Sequence, residues 1–285
     1  VEECVQGIAA RYPDAHVDLT RIDFADQGVF DMICEGDTVG TFQIESRAQI
    51  QTLLKTQPRT LDDLTVQVAI VRPGPIVGGA TSPYIQRRLD PNFQITYDHP
   101  LLEPVLQDTM GVVLYQDQVI EVAQVLAGFT AGQADQLRRA MTRKRSQEAI
   151  TSLWSQFRDG ATANGVPEET SHGIFQKLLG FAAYGFPRGH AASFAVLAYQ
   201  SCWLKHHYAA EFLCALLNNQ PMGFYSPSVL ANEGKRRGVR TILPGLNQSG
   251  VRCTVQDART VQLGLGQIQG LGEDVARAIV AERSA

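Results

Sequence analysis

The densest run of charge in the chain is ADQLRRAMTRKRSQ, residues 134–147, where five cations fall in the eight positions from Arg138 to Arg145. On a helix Arg138 shares a face with Met141 and Arg145, and Arg139 stacks on Arg143, the spacing at which like charges weaken an isolated helix. Asp135, three residues before Arg138, is the one local source of relief. Guanidinium forks suit a polyphosphate or a nucleic-acid backbone, which would offset the repulsion. A solvated helix face is the other reading, and the block alone leaves both open. The second constellation is YGFPRGHAASFA, Tyr184 to Ala195. Gly185, Pro187 and Gly189 predict a tight turn leading into a helix. The N-terminal N–H groups of that helix would lie beside Arg188 and His190, with Tyr184 available for stacking. These are parts of a nucleotide pocket, but by themselves they read first as a helix-entry turn whose aromatics only pack.

Shorter motifs add single residues. FQIESR, Phe42 to Arg47, alternates apolar and polar positions and then offers Ser46 as a helix cap. RPGP, Arg72 to Pro75, stiffens the backbone so that Arg72 projects from a corner. In LGLGQIQGLGEDVARAIV, Gly270-Leu271-Gly272 leads into a helix, the pattern of a helix-hairpin-helix turn that offers backbone N–H groups to a DNA phosphate. There is no G-x-S-x-G elbow, no phosphate-binding G-x4-GK[ST] loop and no HExxH pair. Glu35 and Asp37 flank a glycine and read as a loop rather than a metal site. His206 and His207 adjoin a predicted helix end and read as dipole-stabilised cations rather than ligands. Cys4, Cys34, Cys202, Cys214 and Cys253 form no CxxC pair, so they read as reduced thiols rather than disulfides or a zinc site.

The elements that would position these residues are mostly helical. Ser46 caps a predicted helix through Leu54, and Thr60 one through Ile70. Asp117–Ala127 puts Val119, Ala123 and Leu126 on one stripe, Gly128 ends it, and Thr130 opens the cationic helix. Further helices are predicted over Gln147–Asn164, Pro167–Leu179, Ala191–His206 and Ala209–Asn218, with amphipathic helices at both ends of the chain. Short strands are predicted at Thr41–Ile44, Val112–Tyr115, Thr241–Leu243 and Val261–Leu265. The chain therefore reads as mainly α to about Asn232, with a small α/β tail, and NNQPMGFYSP (Asn218–Pro227) reads as a linker. Its 285 residues are 44% hydrophobic and 19% charged, an ordinary globular composition, and apolar runs such as Ala191–Ala198 are too short to span a bilayer. A formal net charge of −4 means that affinity for a polyanion has to come from local patches. Both ends read as cuts through a longer protein.

Taken in order, GTFQIESRAQ, VAIVRPGPI, LYQDQVIEVAQVLAGFT, ADQLRRAM, YGFPRGHAASFA and WLKHHYAAEFLCALLNNQPMGFYSP resemble the bacterial C-family DNA polymerase catalytic subunit, which includes the DNA polymerase III alpha subunit. NNQPMGFYSP and GVRTILPGLNQS resemble its error-prone, damage-tolerant branch. The resemblance runs from about Val29 to the end. It implies a multi-helical polymerase fingers region: residues 1–217 as its helical core, 218–227 as linker, 228–260 as an outer segment and 261–285 as the start of a helix-hairpin-helix region. It also implies template-primer DNA and deoxynucleoside triphosphates as partners, Mg2+ held by palm aspartates upstream of Val1, and a cytoplasmic setting. Contacts with a sliding clamp and accessory mutagenesis proteins would run through regions outside this chain. The isolated chain is then expected to be catalytically inactive, because two-metal nucleotidyl transfer needs those carboxylates.

Carried over residue by residue, the resemblance places Arg138 and Arg139 on the triphosphate and Tyr184 near the nascent base pair. It places His190 near the sugar, where its bulk would exclude a 2′-hydroxyl. Gln43, Ser46, Arg72 and Arg188 would line the same cleft. Arg143, Lys144 and Arg145, with Gly270 and Gly272, are the DNA-backbone candidates, the three cations standing between that role and solvent. The alternative is a helical nucleic-acid-binding or interaction module without catalysis.

Overall fold

The computed structural model describes residues 1–71, 81–142, 147–182, 186–222 and 225–283. Fourteen α-helices occur among the described residues. The first seven are α1 (Glu2–Arg11), α2 (Gln27–Cys34), α3 (Arg47–Thr56), α4 (Leu61–Ile70), α5 (Thr81–Leu89), α6 (Glu103–Leu106) and α7 (Gln116–Ala127). There follow α8 (Ala131–Thr142), α9 (Gln147–Ala163), α10 (Glu168–Ala182), α11 (Arg188–His207), α12 (Ala209–Asn218), α13 (Pro227–Arg236) and α14 (Glu273–Arg283). Three strands, β1 (Arg240–Ile242), β2 (Thr254–Asp257) and β3 (Thr260–Gln262), lie between α13 and α14. Contacts divide the chain into two compact units, one of residues 1–33, 37–45 and 197–285, the other of residues 34–36 and 46–196.

In the second unit the helix starts and stops follow local hydrogen bonds. Ser46 Oγ accepts the Gln49 N–H at 3.2 Å to open α3, and Thr60 Oγ1 accepts the Asp63 N–H at 3.1 Å to open α4. Thr130 and Gln133 cap each other: Gln133 N–H donates to Thr130 Oγ1 and Thr130 N–H to Gln133 Oε1. Gly128, at φ 64°, ends α7 in the left-handed conformation that glycine adopts without a steric cost. The apolar stripe of α7 (Val119, Val122, Leu126) is buried against Leu137 of α8, Phe157 of α9, and Phe175 and Leu178 of α10.

In the first unit α12 is the hub. Leu213, Cys214 and Leu217 pack with Leu230, Val239, Cys253 and Val261, while Phe212 and Ala215 meet Cys4 and Ile8 of α1. The sheet order is β1-β3-β2, with β3 parallel to β1, antiparallel to β2, and buried along its whole length.

Three expectations change. Thr41–Ile44 is a turn rather than a strand. There Thr38 Oγ1 donates to the Ile44 carbonyl and Gln43 turns the chain at φ 66°, a conformation no strand allows. Val112–Tyr115 forms no strand beyond a single bridge, Tyr115 to Phe186. The helix expected from Ala191 begins at Arg188, so Arg188 and His190 lie in its first turn and not in the turn before it. Among the described residues no helix is long and apolar enough to cross a membrane.

Candidate functional site

The second unit joins its two cation-bearing motifs through the start of α7. Gln118, buried in the first turn of that helix, folds its amide back. Its Oε1 accepts the N–H groups of Leu114 (2.7 Å) and Tyr115 (3.0 Å), and its Nε2 donates to Thr109 Oγ1 (2.8 Å). This fixes the extended segment against the helix and sets Gln116 and Asp117 at its first two positions. The Gln116 N–H donates to the Phe186 carbonyl at 3.1 Å. Asp117 Oδ2 accepts the Arg188 N–H at 2.6 Å, satisfying a donor that the start of α11 would otherwise leave open. The Arg188 guanidinium pairs with Asp108 Oδ2 at 2.9 Å and lies over the Tyr115 ring, 5.8 Å from its centroid. Burial pushes the Tyr115 phenol above its ordinary range, so the ring stays neutral.

Gln116 also reaches the other motif, since Arg138 Nη1 donates to its Oε1 at 3.4 Å. The rest of the Arg138 fork engages Asp135 Oδ1 through Nε (3.0 Å) and Nη2 (2.8 Å), and Arg139 Nε pairs with Asp135 Oδ2 at 2.7 Å. One carboxylate thus serves two guanidiniums, and the Arg138 hydrogen bond, aided by the Arg139 charge, holds Asp135 below the usual carboxylate range. Leu137 and Ala140, on the opposite side of α8, are buried. His190 is exposed, with its ring centroid 4.8 Å from that of Phe186, ahead of the helix, and 4.2 Å from that of Phe194, one helical turn on. The arrangement presents two arginines, an imidazole and a neutral aromatic on elements tied together by Gln116 and Asp117.

The family model for the bacterial DNA polymerase III alpha subunit finger domain matches residues 1–165, more than half of the chain. The chain belongs to this finger-domain family. A helix-hairpin-helix motif matches residues 238–285. An error-prone DNA polymerase of Corynebacterium efficiens is 48% identical over 273 residues, which cover 95% of this chain and 25% of that protein. One from Mycolicibacterium paratuberculosis is 47% identical, covering 98% of this chain and 26% of the relative. One from Burkholderia mallei is 47% identical, covering 94% and 26%. The chain spans about a quarter of the length of the curated relatives it matches.

Within this finger-domain chain the expected site residues are not all brought together. Arg138, Arg188 and His190 gather around the first turns of α7 and α11, and Arg139 shares Asp135 with Arg138. Ser46 belongs to the same unit, but its hydroxyl is committed to capping α3. Gln43 belongs to the other unit, in the 37–45 turn. Gly270 and Gly272 take left-handed φ values of 84° and 75° ahead of α14, as the hairpin turn requires. Arg72, Tyr184, Arg143, Lys144 and Arg145 lie outside the described residues. Sequence reasoning missed Asp108, Gln116, Asp117 and Gln118. Its available signal was the polar run Gln116–Gln118 at a helix start, directly behind the apolar pair Leu114-Tyr115, where carboxylates and amides meet the positive helix end.

Asp37, expected as an unremarkable loop residue, is instead a buried counter-ion. Lys205 Nζ, 3% exposed, donates to Asp37 Oδ1 (2.8 Å), Glu233 Oε1 (2.9 Å) and the Asp37 and Val39 carbonyls. Arg237 Nε stands 3.3 Å from Asp37 Oδ2. Burial alone would raise the Asp37 carboxyl, but its hydrogen bonds with Glu233 and Lys205 and the nearby positive charges outweigh it and hold the group at about 2. Burial, and then the contact with Asp37, push Glu233 up. The cluster anchors the segment that carries Gln43.

Proposed function

We propose that this chain grips the incoming deoxynucleoside triphosphate and the template-primer DNA within an error-prone, damage-tolerant bacterial DNA-directed DNA polymerase. The observation that carries the reading is the junction at Gln116 and Asp117, which ties Arg138 and Arg188 to one pair of helix starts. Guanidiniums there neutralise charge that grows on the leaving pyrophosphate, so they stabilise the transition state more than the bound substrate. Asp135 keeps Arg138 and Arg139 oriented before the nucleotide arrives. Solvent-accessible ion pairs of this kind contribute little, about 0–1 kcal/mol, so a triphosphate can displace the carboxylate at small cost. His190, its ring held by two phenylalanines, is the steric gate at the sugar, and Tyr184 faces the nascent base pair. Ser46 and Arg72 contribute at the cleft edge. Arg143, Lys144, Arg145 and the Gly270–Gly272 turn meet the DNA backbone.

Such a polymerase uses Mg2+, and the carboxylates beside these arginines do not fit as its holders. Asp108 and Asp135 are paired to guanidiniums, and Asp117 accepts a backbone N–H. The chain by itself is expected to be inactive. The reading keeps residues 218–227 as a linker between a helical core and the outer segment, and it is cytoplasmic. Clamp and accessory-protein contacts fall to other regions.

The test is Arg138→Ala in a polymerase containing this chain. The rate of nucleotide addition should fall by roughly 10²–10³-fold, the range for loss of one preorganised charge donor, while primer-template affinity stays nearly constant. An unchanged rate would sink the assignment. His190→Ala should raise ribonucleotide incorporation, and templated incorporation by the 285-residue chain alone would overturn the inactivity.

A further inference from the structure

Adjacent histidines on one helix, His206 and His207, offer two ligands of a metal site, and the fold brings them a third. Asp26, which opens α2, is carried to the last turn of α11, and ligand atoms of Asp26, His206 and His207 lie within 4.8 Å of one another. His207 Nε2 is 2.8 Å from Asp26 Oδ2. In tetrahedral coordination, ligand atoms about 2.0–2.1 Å from a shared Zn2+ stand roughly 3.3–3.4 Å apart, so convergence needs only small side-chain movements.

The surroundings hold these groups in place. Asp26 Oδ1 accepts the N–H groups of Gly28 (2.8 Å) and Val29 (3.3 Å), which orients the carboxylate and leaves Oδ2 to His207. Tyr199, two turns earlier on α11, accepts the Asp26 N–H through its hydroxyl (3.2 Å) and donates to the Asp23 carbonyl (2.8 Å). The helix that bears the histidines therefore also positions the acid. Trp203 packs against the His207 ring at 4.7 Å. His206 Nε2 occupies space that any side chain at position 28 would fill, lying 2.9 Å from where a Cβ on Gly28 would be. Outer contacts of this kind fix ligand orientation in metal sites.

We propose that Asp26, His206 and His207 bind a divalent transition-metal ion of the zinc class, with one coordination position left to water. Two imidazoles and a carboxylate suit Zn2+ better than the harder Mg2+ or Ca2+, which favour all-oxygen shells. The ion would bridge the start of α2 to the end of α11.

The experiment titrates the 285-residue chain with Zn2+ by calorimetry and with Co2+ by visible absorption. One ion per chain is expected, with the intense ligand-field bands of a low-coordinate Co2+ site and a rise in Tm on adding Zn2+. His206→Gln and His207→Gln should each weaken binding by more than about 10-fold, the lower end of what losing even an outer contact costs. Asp26→Asn retains the cap on α2 but loses the anionic ligand, so it should fold normally and bind weakly. Gly28→Ala separates the site from the fold further: alanine suits a helix, yet its Cβ displaces His206, so the fold should persist while metal affinity drops. Absence of stoichiometric binding at sub-millimolar metal would overturn the proposal, as would wild-type affinity in Gly28→Ala or His207→Gln.

Discussion

At the scale of single residues, Lys205 is the most constrained charge in the described structure. It is buried with two carboxylates that have little other access to solvent. Removing one partner of a buried ion cluster strands the others, typically at about 3–5 kcal/mol. Lys205→Met should therefore lower the unfolding free energy by that amount in a urea titration, far more than the loss of the exposed Arg188–Asp108 pair. Asp37 gives the cluster a pH signature. Its folded value of about 2 lies below the ordinary value near 4. Its ionisation therefore stabilises the fold fully above pH 4, and that contribution disappears as pH falls through about 2. The Tm gap between wild type and Asp37→Asn should narrow steadily as pH falls below 4. A gap independent of pH would show that the carboxylate charge contributes nothing there.

Helices of the second unit differ in how closely they approach one another. A Cβ on Gly160 of α9 would overlap the Ala127 carbonyl oxygen at the end of α7, so the two helices meet backbone to backbone. Gly173 of α10 has nothing within 4 Å of the same position and is exposed. Gly160→Ala should destabilise by about 1–3 kcal/mol, the usual cost of forcing extra volume into a packed contact. Gly173→Ala should stabilise by about 0.5–1 kcal/mol through helix propensity alone. Denaturant titrations of the two variants should move in opposite directions, and parallel shifts would contradict the packing described. The helix starts themselves were legible in the sequence, because Ser46, Thr60 and Thr130 each bond a group three residues away. The start of α11 was not, because its first N–H is satisfied by Asp117, 71 residues earlier in the chain.

For the whole molecule, the scattered cysteines become a measurable property. All five are buried thiols outside any disulfide, and burial pushes those of Cys4, Cys202 and Cys214 up to about 12. At pH 8 such thiols are ionised on the order of 10³-fold less than ordinary ones, so alkylation of Cys4, Cys202 and Cys214 in the native chain should be slower than in the urea-unfolded chain by at least that factor. A cysteine reacting at the unfolded rate would show that its burial is wrong. The sequence by itself determined the helical class, the caps, the apolar stripe of α7, the hairpin glycines and the order of motifs that mark the finger-domain family, since each is a local pattern of period or spacing. It also singled out the arginines at 138 and 139 and the histidine at 190. Only the tertiary structure decided which groups those residues meet. Gln116 joins Arg138 across 22 residues, Asp117 joins Arg188 across 71, and Asp26 joins His207 across 181. Those pairings depend on how apolar faces far apart in the chain bury one another, and no local spacing encodes that.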